Sequence, residues 1–248
     1  MTTMCHWGFV LALLAQPSAD KPSKQEAELT DPKAIVQRAV EALAKVQVVS
    51  YDLDYKATGW ITMWFPQVAG PVVVGKDTPD KAQRFHCKLA VKPSDSSEMR
   101  EVIAGADGKV FYLTDSKTKT VHADMDQGVL GKEMFVVMFS VMREYGVPNP
   151  FEDALRAGQF KIEESKSVDG EDCYAVRIKP PIDSEAIWYF GKKDFLPRRT
   201  SAEWRNDKGD LGTAEMTLQK LKVHPPSPSD PFKLIVPEGY KKSDDFAP

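Results

Sequence analysis

The sequence predicts an α+β protein built on one open, strongly curved antiparallel β-sheet, an unclosed half-barrel whose concave face is covered by helices. Three observations predict it: stretches in which apolar and polar residues alternate, Asp-Gly pairs set between such stretches, and few helical patterns. Strands that bury one face and wet the other, with few helices to cover them, belong to antiparallel rather than parallel sheets. At 248 residues, 42% hydrophobic and 28% charged, the chain has enough apolar surface for a sizeable core in one domain. A net charge of -3 argues against a phosphate-backbone partner, so nucleic acid is not expected to bind.

The first nineteen residues carry no Lys, Arg, Asp or Glu, and the apolar run Trp7 to Ala15 is followed by Gln16-Pro17-Ser18-Ala19. That pattern reads as a secretory signal over 1–19, too short to span a bilayer, although Met1 to His6 lacks the usual basic residue. The expected organisation is then a linker over 20–30, one domain over 31–240 and a polar tail over 241–248. A periplasmic or secreted location follows, with no membrane span once the signal is removed. Cys5 precedes the apolar run and so is not placed to carry a lipid after it. Cys87 and Cys173 remain, either as two buried thiols or as a disulfide formed in an oxidising compartment.

Thr30-Asp31-Pro32 reads as a helix start, and Ile35, Val36, Ala39, Val40, Leu43 and Val46 give one apolar helical face. The period then changes to two. Val49, Tyr51, Leu53 and Tyr55 alternate with polar residues, as do Phe85, Cys87, Leu89 and Val91. Between these strands, 59–75 reads as an early strand, a loop and a short edge strand, because Pro66 and Pro71 interrupt it. Asp107-Gly108 and Asp169-Gly170 each mark a hairpin. Three further strands follow within 186–223. The clearest interior helix runs from Lys132 to Tyr145 and is stopped by Pro148 and Pro150, with a short helix after it at 152–156. Residues 225–231 are too proline-rich for a helix or a central strand, and a last strand with Phe232, Leu234 and Val236 turned inward is expected to follow.

No nucleophile elbow, zinc-protease helix, phosphate loop or dinucleotide fingerprint occurs. His6, His86, His122 and His224 are scattered, and His86 alternates with apolar neighbours so that it faces solvent. Asp52, Asp54, Glu163 and Glu164 read as the wet face of strands rather than as acid-base pairs. Lys192, Lys193, Arg198 and Arg199 bracket a turn that is either simply solvated or meets an anionic lipid or partner. Neither a metal nor a cofactor is expected. The chain reads as non-enzymatic, with an envelope hydrolase as a distant alternative.

Three stretches resemble the LolA/LolB superfamily of periplasmic lipoprotein carriers. They are the first helix running into a strand (34–59), Thr78-Pro79 with the following Arg-Phe strand and hairpin, and the carboxy-terminal series from Cys173 to Tyr240. The resemblance spans most of 31–240. It implies an unclosed barrel of about eleven strands with acyl chains held between sheet and helical lid, and a segment like Phe232 to Gly239 that closes the domain. The family's carriers have an arginine where Thr78 stands, which ties the lid shut, so that gating does not transfer.

The expected role is therefore binding of a lipid or acylated protein by an envelope protein acting as a monomer. The alternative is an envelope sensor or scaffold that takes a protein partner. The expected cavity lining is Tyr51, Leu53, Tyr55, Phe85, Leu89, Met134, Phe135, Met138, Met142, Trp188, Phe190 and Trp204. Methionine is unbranched and polarisable, so Met134, Met138 and Met142, four residues apart, suit an adaptable wall as well as they suit ordinary core.

Overall fold

The computed structural model describes residues 29–77, 84–94, 96–130, 141–181, 185–225 and 230–243, with Val141 and Met142 described by backbone alone. The first helix, α1 (Pro32–Leu43), begins where the Asp31 carboxylate accepts from the Lys33 amide and proline fills the first turn. Ile35, Val36, Ala39 and Leu43 are buried along its inner face, as their spacing predicts.

Five strands follow β1 (Val48–Gly59) in a meander: β2 (Gln67–Gly75), β3 (Arg84–Lys92), β4 (Arg100–Asp107), β5 (Phe111–Asp115) and β6 (Thr120–Asp124). Two short helices come next, α2 (Val141–Gly146) and α3 (Glu152–Ala157). A second meander consists of β7 (Gln159–Val168), β8 (Glu171–Lys179), β9 (Ala186–Gly191), β10 (Pro197–Arg205) and β11 (Leu211–His224), and the short β12 (Lys241–Ser243) ends the chain's described part. The strand order β12-β6-β5-β4-β3-β2-β1-β11-β10-β9-β8-β7 makes one open sheet of twelve strands. Every neighbouring pair is antiparallel except β12 with β6. The two meanders meet where β1 pairs with β11, from Val48 opposite His224 to Gly59 opposite Gly212. At one free edge, β7 is mostly exposed and carries Lys161, Glu163, Glu164 and Lys166, charges that discourage edge-to-edge pairing.

Both hairpins predicted from Asp-Gly pairs are present. Asp169 and Gly170 take φ of 50° and 80°, and the Asp107 carboxylate accepts from the Lys109 and Val110 amides beside Gly108. The structure departs from expectation in several places, beginning with the early strand expected in 59–75, which is a 3₁₀ turn at Trp60–Met63. β2 is not an edge strand; it lies between β1 and β3, and Pro71 is accommodated because the ladder to β3 lapses at Gly70 and Pro71. Residues 232–240 form no strand: Phe232 is buried and Leu234 partly so, but Val236 is exposed, and the strand comes later as β12. β6 is not among the expected strands, although Thr120 to Asp124 alternates as a strand does, and it pairs with both β5 and β12. Cys87 and Cys173 are both free and buried, which settles the open choice between thiols and disulfide.

The helices lie against the inner face. α1 packs on β7, β8 and α3, while α2 packs on β2 and β10. Tyr145 of α2 is almost wholly buried, its ring centroid 6.3 Å from that of Tyr51, and its hydroxyl donates to the Pro197 carbonyl at 2.8 Å. One short helix thereby touches β1 and β10 together.

Beside it, the Glu144 carboxylate is 8% exposed and accepts from the Phe151 amide at 2.6 Å. Burial raises its pKa above the ordinary value, while the Phe151 amide, Arg143 and Lys76 pull the other way. A carboxyl with a raised folded pKa holds its proton more tightly folded than unfolded. Stability therefore falls as pH rises from the ordinary 4.5 through the raised value. Glu144→Gln is expected to remove that slope, so that wild type loses stability relative to the variant across this window. Urea unfolding of both proteins at steps from about pH 4 to about pH 8 measures it; parallel pH profiles would exclude Glu144 as the source.

Candidate functional site

Period-two alternation places one residue of every pair on the concave side, so the candidate site is a wall of side chains contributed by many strands. Tyr51, Leu53 and Tyr55 of β1, Phe85 and Leu89 of β3, and Phe190 of β9 all lie within one buried apolar cluster, together with α1 and Tyr145. Trp188 and Trp204 are partly buried and pack against the same cluster. Phe151 meets the Trp188 ring edge-on, with centroids 4.8 Å apart. The structure thus brings together eight of the residues expected to line the cavity. Met134, Phe135 and Met138 lie outside the described residues, as do Thr78 and Pro79; the backbone of Met142 is in α2. Sequence reasoning missed two contributors, Tyr145 as a bridge and Phe151 as an aromatic neighbour. Tyr145 ends the expected interior helix, but Phe151 follows Pro150 with no periodic pattern to reveal it.

The wall is electrically neutral at physiological pH. Burial pushes the Tyr55 hydroxyl up to about 12 and the Cys87 thiol up to about 12, and drives the Tyr51 and Tyr145 hydroxyls higher still. The Cys87 thiol donates to the Ala104 carbonyl at 3.4 Å. A thiol so held is a poor nucleophile, and neutral phenols at these values make poor general bases. The wall is apolar, and the chain itself buries most of its side chains.

A cleft of about 510 Å³ lies at the β4–β5 hairpin, and none of the residues expected to line a cavity is among those around it. Ala106 and Phe111 line it and also belong to or pack against the apolar cluster, and Lys109 and Asp126 bring charge to the same lining beside Val110, Met125 and Gln127. Apolar inner surface and open solvent therefore meet at this point.

Several of the polar residues that the sequence singles out have partners within the chain. Lys193 pairs with Glu171, Arg198 with Asp194, and Arg199 with Glu215, while the Lys192 ammonium lies over the Tyr174 ring. The basic turn is thus tied within the chain, and Arg198 is itself buried rather than solvated. His86 corrects another expectation. It does face outward, but segment 230–240 covers the outer face there: the Tyr112 hydroxyl donates to the Phe232 carbonyl at 3.3 Å and lies 2.9 Å from His86 Nδ1. Burial lowers the pKa of His86. Asp52 and Asp54 bind Lys220 and Lys56, and Glu163 binds Arg177. Among the described residues no group of three His, Cys, Asp or Glu side chains is placed to hold a metal ion, and no helix is long and apolar enough to cross a membrane.

One open, curved antiparallel sheet with few helices, of twelve strands rather than about eleven, is the architecture that the sequence leads one to expect. No family model matches the chain, and no curated protein matches it. Among solved structures it is similar to MucB, with 12% identity and a TM-score of 0.50 over 82% of this chain and 62% of that one. The chain therefore spans less than two thirds of MucB's length. It is also similar to the lipoprotein LppX of Mycobacterium tuberculosis, with 12% identity and a TM-score of 0.48 over 79% of this chain and 96% of that one. A LolA superfamily protein from Nitrosomonas europaea gives 10% identity and a TM-score of 0.31 over 80% and 96% of the two chains. At these identities the likeness is one of fold.

Proposed function

We propose that the chain is a non-enzymatic binder of an apolar chain, the acyl group of a lipid or of an acylated protein, working in the cell envelope. The observation that carries this reading is the cleft at the β4–β5 hairpin, where Ala106 and Phe111 join open solvent to a wall of neutral, apolar side chains. An acyl chain gains about 0.8 kcal/mol for each methylene it buries, and needs no charged partner to do so. Met134, Phe135, Met138 and Met142 complete the proposal as the adaptable part of the lining.

The test is displacement of cis-parinaric acid from purified protein, with mass spectrometry of whatever lipid is retained after extraction. Saturable binding is expected, weakened at least about tenfold by Phe111→Asp, which sets a carboxylate in the cleft. Neither displacement nor retained lipid would remove the basis of the reading. A second reading, a scaffold for a protein partner, is favoured by one observation: Leu89, Val91, Ala104 and Phe190 are fully buried by the chain itself. MucB, whose fold is similar, has been seen in complex with MucA. A stoichiometric envelope protein recovered without lipid would support that second reading.

A further inference from the structure

We propose that the end of the sheet bearing the β1–β2 connection is a membrane-docking tip that enters the interfacial layer of a phospholipid bilayer. The sequence sets it apart: from Ala57 to Gly75 there is no charged residue and no histidine. Within this stretch a 3₁₀ turn (Trp60–Met63) leaves Met63 62% exposed and Trp64 68% exposed, above a buried Ile61. Two more large apolar side chains share this end of the sheet. Leu211, 41% exposed, opens β11, where Gly212 faces Gly59; Met99, 56% exposed, precedes β4, where Arg100 faces Val91 at the end of β3.

The tip is firmly based. The Trp60 indole N–H donates to the Trp204 carbonyl at 3.4 Å, and the Phe65 and Trp204 rings stack with centroids 6.2 Å apart. Gly59 makes the entry with φ of 66°, at a point where any Cβ would collide with the Leu211 carbonyl. Met63 and Trp64 are thus presented without an ordering cost at the moment of binding.

Hydrogen bonding and shape identify the occupant. The Trp64 and Phe65 amides donate to the Ile61 carbonyl, and the Thr62 hydroxyl donates to the Gly59 carbonyl. A segment entering lipid must satisfy its own backbone groups, and these bonds do so for the Trp64 and Phe65 amides and the Gly59 and Ile61 carbonyls. Tryptophan, with an apolar body and one polar N–H, favours the headgroup boundary. A protein interface of ordinary size takes about 800 Å² from each partner; four projecting apolar side chains without a groove fit that poorly and fit a fluid bilayer well. Flanking charges are of both signs, with Lys92, Arg205 and Lys208 near Glu98, Asp207 and Asp210. Anionic lipid is therefore not required.

The inference is independent of acyl-chain binding: a protein that docks but ignores cis-parinaric acid keeps the one and loses the other. Its test is flotation of the full chain with neutral phosphatidylcholine vesicles, and quenching of tryptophan fluorescence by bromine-labelled acyl chains. The quenching of Trp64 is read as wild type minus Trp64→Phe. Docking is expected to survive high salt and to weaken at least about tenfold in Met63→Ser/Trp64→Ser. Both side chains are exposed, so the double variant should unfold with the wild-type thermal midpoint, which circular dichroism checks. Equal flotation of wild type and variant, binding confined to anionic vesicles, or a self-association abolished by the variant would each overturn the proposal, the last by assigning the tip to a second copy of the chain.

Discussion

Replacing Tyr145 with alanine is expected to lower the unfolding free energy by about 3–5 kcal/mol, and replacing it with phenylalanine by about 1 kcal/mol. The difference comes from what the ring does. Alanine removes an almost wholly buried aromatic from the contact between α2 and β1, leaving a cavity beside Tyr51, and also strips the Pro197 carbonyl of its donor. Phenylalanine keeps the ring and loses only the hydrogen bond. Since α2 packs on both β2 and β10, the alanine variant should also lose acyl-chain binding if the concave wall is the binding site. Chemical denaturation of the three proteins measures the first effect. Equal stability of wild type and Tyr145→Ala would show that α2 is no strut.

Leu89→Asp is expected to be more severe, costing upwards of about 4 kcal/mol and leaving little folded protein at neutral pH. Leu89 is fully buried on the inner face of β3, and Phe85, Cys87 and Val91 on the same face offer no cation. An aspartate there gives up its hydration with nothing in return, so its folded pKa must rise. The linkage fixes the sign: the variant should be least unstable at acidic pH and weaken as pH rises through the raised value. Soluble expression, followed by circular dichroism at two pH values, decides it. A variant as stable as wild type at neutral pH would mean that water reaches the inner face of β3.

Much of this architecture is written in local pattern. Ile35, Val36, Ala39 and Leu43 are legible because helical spacing and burial coincide, and Asp31 caps the helix as its side-chain chemistry suggests. Alternation in β1 and β3 reveals which side chains turn inward, since a strand's period leaves no other choice. What local pattern misses is tertiary. Pro71 argues against a central strand until the lapse in one ladder is known. His86 obeys its strand's alternation, yet the face it occupies is sheltered by a segment distant in sequence. Leu234 and Val236 have strand-like spacing but lie in a covering arm, where side-chain burial follows the surface beneath rather than a ladder. The bridging role of Tyr145 depends on Pro197 being brought beneath it, which no window of sequence around either residue contains.

The seam between β1 and β11 bears on how the protein is made. The first strand's partner on one side is made only after β2 to β10, since Val48 waits for His224. A partly synthesised chain that has built β1 to β6 offers an unpaired, apolar strand border to its surroundings, the kind of surface that invites aggregation. Such long-range pairing also slows folding, because the intervening loop must be closed before the ladder rewards it. Maturation should thus be late, cooperative and intolerant of carboxy-terminal truncation, and the nascent polypeptide should need shelter until β11 is available to it.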